Sequence, residues 1–154
     1  MKTLFLIIGV TMSFSLLAQK SRDIDICRVS NCIVSASIQY NNVGLPIDTS
    51  YFVLAKNDRY EQLYDLFILK SGKLNNIYSF FKYCSDFYKK EDKGVSITYE
   101  GSLISLSGLM GMKIMSVYGR GKDDNSYHMF NGMTLNNIIS KIEKWANKNN
   151  IILE

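Results

Sequence analysis

Histidine occurs once in this 154-residue chain, at His128, and proline once, at Pro46. A lone imidazole excludes every metal site built on two or more histidines, which covers most zinc-hydrolase arrangements. Three cysteines, Cys27, Cys32 and Cys84, are too few for a disulfide-dense scaffold. They allow at most one intramolecular bridge and leave one thiol over. No Ser/Gly/Pro-rich linker, internal repeat or low-complexity block interrupts the chain, and no Asn-x-Ser/Thr sequon is present. That pattern implies one domain with short connections. Charge of one sign is also scarce. Eighteen Lys and Arg stand against 14 Asp and Glu, a net charge of +4, and the charges are interspersed. Such a mild excess gives no basis for a nucleic-acid partner.

The N-terminus is where the sequence speaks most clearly. Lys2 precedes an apolar run from Leu4 through Val10 that continues, diluted by Thr and Ser, to Leu17, and the charged stretch Gln19-Lys20-Ser21-Arg22-Asp23 follows at once. This is the layout of a cleavable secretory signal. Cleavage is expected after Ala18, although Ser13 and Ser15 also suit a cut after Ser15. The stretch from Leu4 to Ala18 is shorter than the roughly 20 residues a membrane-crossing helix needs. The expectation is therefore a signal peptide over 1–18 and a domain over 19–154 that is secreted or periplasmic, with no stable membrane insertion after cleavage. In that oxidising setting Cys27 and Cys32, flanking the turn Arg28-Val29-Ser30-Asn31, are a candidate disulfide. A buried, unpaired Cys84 is equally natural, because free cysteine packs as a small hydrophobe.

Beyond residue 31, period-two alternation from Cys32 to Tyr40 predicts a half-buried strand, and Tyr51–Ala55 a second. Residues 59–70 read two ways: Asp58, Glu61 and Gly72 would frame a helix with Tyr60, Leu63, Tyr64 and Phe67 on one face, whereas the all-apolar Leu66-Phe67-Ile68-Leu69 and the turn pair Asn57-Asp58 favour a third strand over about 62–70. A helix follows, with Ser71 as N-cap and Leu74, Ile77, Tyr78, Phe81, Cys84 and Tyr88 on one face. Residues 95–99, 103–106, 112–118 and 126–130 read as short antiparallel strands. Thr134 is placed as the cap of a last helix whose apolar face is Leu135, Ile138, Ile139, Ile142, Trp145 and Ala146. The expected fold is α+β, a single antiparallel sheet of about five to seven strands with two amphipathic helices packed on one face.

Chemistry is thinly represented. His128 with Cys84 as nucleophile and Asp123 or Asp124 as orienter, or with Ser126, contains the groups for a hydrolase or transferase. Yet Cys84 falls on the core face of its helix, where a thiol is unreactive, and no Gly-x-Ser-x-Gly elbow presents a serine. The loop Gly119–Asn125 offers Arg120 and Lys122 to an anion but lacks the Gly-x₄-Gly-Lys-Ser/Thr and twelve-residue Ca²⁺ patterns. No cofactor or metal is implied. Ten tyrosines and eight phenylalanines are the surplus that stands out. Tyrosine joins apolar area to a polar tip, which suits interfaces. Tyr99, Tyr118 and Tyr127, with Arg120 and Lys122, are accordingly the candidate binding residues. The function expected from sequence is an exported, non-enzymatic domain that binds a protein or a cell-surface component, with the His128 enzyme as the alternative.

Overall fold

A computed structural model describes residues 20–59, 65–119 and 126–154. The segment expected to be a signal peptide, the start of the strand expected over 62–70, and Arg120, Lys122, Asp123 and Asp124 lie outside the described residues. The elements in chain order are β1 (Lys20–Val29), β2 (Cys32–Tyr40), β3 (Pro46–Lys56), β4 (Leu66–Gly72), α1 (Leu74–Lys90), β5 (Ser96–Tyr99), β6 (Ser102–Leu109), β7 (Met112–Tyr118), β8 (Tyr127–Phe130) and α2 (Gly132–Lys148).

These strands do not make the single sheet of five to seven strands that the sequence suggests. They form two four-stranded antiparallel meanders, sheet A in the order β1-β2-β3-β4 and sheet B in the order β5-β6-β7-β8. Each is followed by one helix. The α+β class stands. The break between the sheets has a steric cause. Joining them would require a free edge of one to meet a free edge of the other, but β4 meets the ends of sheet B strands instead. A Cβ on Gly119, just past β7, would lie 2.5 Å from the Phe67 ring and 3.6 Å from the Ile68 carbonyl oxygen. Lys70 of β4 forms an ion pair with Glu100 in the β5–β6 turn. An edge covered in this way is closed to further pairing.

Strand β1 escapes the sequence reading because its alternation, Asp23-Ile24-Asp25-Ile26, is short and then broken. Its first residues are polar, and a bulge between Asp25 and Cys27 shifts the register against β2. It reaches β2 through a two-residue turn in which Ser30 and Asn31 have φ of +47° and +60°, the left-handed pair that fits the twist of a hairpin. Cys27 stands opposite Val34 and Cys32 opposite Val29, so the two cysteines are diagonal neighbours across the hairpin. All three thiols are free and buried.

Both helix caps differ from expectation. Ser71 belongs to β4, which runs on to Gly72, and α1 starts after Lys73, which makes no side-chain cap bond. For α2 the cap is Asn131, whose side chain accepts a hydrogen bond from the Thr134 N–H at 2.8 Å. Thr134 is its donor and sits inside the first turn. The apolar faces are close to those expected, except that Phe80 and Phe87 replace Tyr78 and Tyr88 among the buried residues of α1. One cluster contains the inner faces of both sheets and both helices, with Val34, Val53, Phe80, Phe81, Ile104, Met115, Phe130, Leu135 and Ile142 among its members. Ile151 and Leu153 pack against it from the C-terminus, as their apolar character suggests. No described helix is long and apolar enough to cross a membrane.

Candidate functional site

The single histidine lies at the seam between the sheets. Alternation in β8 turns His128 and Phe130 inward and Tyr127 and Met129 outward. His128 is 2% exposed, and its Nδ1 lies 2.8 Å from Asp58 Oδ2 and 2.9 Å from the Lys56 carbonyl oxygen. Both partners are acceptors, so Nδ1 carries a proton. Nε2 is buried with no hydrogen-bond partner among the described residues, and the ring meets Phe130 edge-on at 4.7 Å.

Asn57 and Asp58 complete the seam. The Asp58 N–H donates to the Tyr127 carbonyl at 2.8 Å, and the Met129 N–H donates to Asp58 Oδ2 at 2.7 Å. Buried Asn57 donates through Nδ2 to Ser126 Oγ at 3.1 Å and to Asp65 at 3.3 Å. Burial pushes the Asp58 carboxyl up. The hydrogen bonds from His128 and the Met129 N–H, with the positive field of His128 and Lys56, outweigh that and hold it below its ordinary value.

An aspartate holding Nδ1 is half of a nucleophilic-catalysis arrangement, but the other half is not assembled. No hydrogen bond joins His128 to Cys84 or to Ser126, and Ser126 is engaged by Asn57. Cys84 is fully buried on α1, its thiol pushed up to about 12 by burial, with Lys70 opposing. None of the five main surface depressions among the described residues is lined by His128. No described group of His, Cys, Asp and Glu is arranged to hold a metal ion. Asp58 is the residue the sequence reading missed, because Asn57-Asp58 has the signature of an ordinary turn and its partner is distant in sequence.

The tyrosines are divided between two environments. Tyr99 turns toward α1, stacking on Tyr83 with ring centroids 3.7 Å apart and planes within 9°, and more distantly on Phe80. It belongs to the packing between β5 and the helix. Tyr118 and Tyr127 are directly paired across β7 and β8, with ring centroids 5.3 Å apart and planes tilted by 41°. Because Met115, Val117, His128 and Phe130 point inward, this pair lies on the opposite face of sheet B, which no described helix covers. Tyr99 is therefore not part of a common patch with Tyr118 and Tyr127.

The rest of that outer face follows from register. Ser96, Ser105 and Ser116 are successive cross-strand neighbours, and Met129 continues the row on β8. Ser96 Oγ donates to Ser105 Oγ at 2.9 Å. Leu103, paired with Thr98, is 43% exposed, and Met129 is 37% exposed. The surface is thus a row of hydroxyls beside two tilted tyrosine rings and scattered apolar side chains. It can offer ring faces for stacking and oxygens as donors and acceptors at fixed strand spacing. Sheet A presents Ile33, Leu54 and Ile68 in a cross-strand row on its outer face, but Ile33 is already buried there and the Ser35–Asp25 hydrogen bond occupies the neighbouring row.

Comparison with protein-family models and with curated proteins finds no match to this chain.

Proposed function

We propose that this chain works outside the cytoplasm as a non-enzymatic binding domain, and that the outer face of sheet B is where it holds a protein or another cell-surface component. The observation that carries the reading is the directly paired, tilted Tyr118 and Tyr127 on a sheet face that no described helix covers. Tyrosine is favoured at recognition surfaces because it brings large, stiff contact area and a hydroxyl at little cost in side-chain entropy. The serine row beside it adds short hydroxyls that do not block a flat approach. Export rests on the N-terminal pattern of Lys2, the apolar run to Leu17 and the abrupt polar boundary.

One experiment tests both parts. The full chain is expressed in the cells that make it, and the exported form is analysed by mass and then returned in labelled form to intact cells. The expected product starts at or near Gln19, and a Tyr118→Ala/Tyr127→Ala variant binds at least about tenfold more weakly, as loss of two central aromatic contacts implies. Retention inside the cell with Met1 present overturns the export reading. Equal binding by the double variant overturns the face.

A further inference from the structure

We propose that the hairpin joining β6 to β7 is a membrane-surface contact, whose tip residues Leu109, Met110 and Met112 dip among the headgroups of an anionic bilayer while lysines at its base meet the lipid charge. This lies beyond the sheet-face reading and uses a different end of sheet B.

The tip is an apolar point held in solvent. Leu109 is 49% exposed, Met110 92% and Met112 60%. Met110 and Gly111 form a two-residue turn with φ of +47° and +81°. Such a turn favours Asn or Asp before the glycine, since these tolerate the left-handed conformation. The other two-residue hairpin turns among the described residues carry polar residues at the first position, with Ser30-Asn31 and Glu100-Gly101. Met110 thus goes against both local backbone preference and solvation, with no packing contact to compensate. Such a local violation of otherwise consistent chemistry is expected where function demands the side chain.

The base of the hairpin is firmly built and basic. Lys93 Nζ donates to the Gly111 carbonyl at 3.0 Å, and Lys113 Nζ donates to the Glu91 carbonyl at 2.9 Å while lying 4.9 Å over the Tyr88 ring. Tyr88 in turn donates its hydroxyl to the Lys113 carbonyl at 2.6 Å. The last turn of α1 adds Lys89 and Lys90. Against these lysines the same region holds the acidic side chains of Glu91 and Asp92. Apolar side chains projecting ahead of an excess of lysines, with a tyrosine behind them, match the layering of an anionic membrane interface. A second copy of the chain is a poorer fit. The apolar groove of about 460 Å³ between β1–β3 and α2, floored by Tyr51 and Trp145, has Lys148 at its rim and no carboxylate to receive the tip's lysines.

The test uses the exported protein and two vesicle types, phosphatidylcholine alone and phosphatidylcholine mixed with phosphatidylglycerol. The natural chain should partition at least about tenfold more strongly to the mixed vesicles, and less as salt is raised. Met110→Asn restores the preferred turn residue, so its melting temperature should hold or rise while vesicle binding falls by about tenfold. The Tyr118→Ala/Tyr127→Ala variant should bind vesicles as the natural chain does, which keeps failure of the sheet-face reading separate. Absence of a preference for the anionic vesicles overturns the proposal. So does undiminished binding by Met110→Asn, which would signify adsorption by charge alone. Self-association that Met110→Asn abolishes, without vesicle binding, would assign the tip to a second copy instead.

Discussion

His128 Nδ1 sits 2.8 Å from the Asp58 carboxylate and thereby fastens β8 of sheet B to the end of β3 in sheet A. The contact replaces the backbone ladder that the two sheets do not share. It is sealed from solvent on the histidine side, and the histidine's other nitrogen is buried as well. The geometry assigns His128 to holding the halves of the domain together.

Removing that ring should therefore cost stability. His128→Ala leaves a cavity beside Phe130 and strips Asp58 of a charge-assisted partner, so unfolding free energy in urea should fall by about 2–4 kcal/mol. A change within about 0.5 kcal/mol, the range of an inert surface substitution, would contradict the fastening role.

The same contact sets an acid limb. The folded-state value of Asp58 lies below its ordinary 3.8, so its ionised form is favoured by folding. Its contribution is present in full above that ordinary value and is lost as pH falls through the lower folded value. Urea midpoints measured from pH 6 downward should show the natural chain losing stability below about pH 4. Asp58→Asn should start lower and converge on it in that window. Parallel curves with no convergence would rule Asp58 out as a source of the acid limb.

Gly119 provides a steric test of the abutment between the sheets. With a Cβ placed 2.5 Å from the Phe67 ring, Gly119→Ala must displace either the ring or the end of β7. A loss of about 1–3 kcal/mol is expected by thermal or chemical denaturation, typical of overpacking. A neutral or stabilising result would mean that β4 and β7 are not in contact there.

Cys84 should be inert. With its thiol raised to about 12 by burial, it should resist iodoacetamide in the folded protein near neutral pH and react only after unfolding in urea. Rapid native-state alkylation at Cys84 would reopen the nucleophile reading.

Local features of this fold were largely legible in the sequence. Strand β2, the inner positions of α1 and the Leu135–Ala146 face of α2 follow from periodicity, because each element buries one side and the pattern records it. Strand β1 was hidden by the bulge at Asp25–Cys27 and by its polar start. The caps were missed by a few residues, since Ser71 and Thr134 have the right chemistry but the neighbouring backbone decides which residue serves. Sheet count was beyond reach, because whether β4 pairs or is covered depends on Gly119 and Glu100, far along the chain. Tyr118 and Tyr127 were identifiable as aromatic strand residues, while the Asp58–His128 contact depends on packing that no local pattern encodes.

The most direct test of the proposed recognition face is site-specific photo-crosslinking in the producing cells, with a photoreactive phenylalanine analogue placed in turn at Tyr127, at Met129 and, as a control on the outer face of sheet A, at Ser50. Positions 127 and 129 should each give a discrete heavier adduct and position 50 none. Adducts from position 50 alone, or none from positions 127 and 129, would contradict the proposed face.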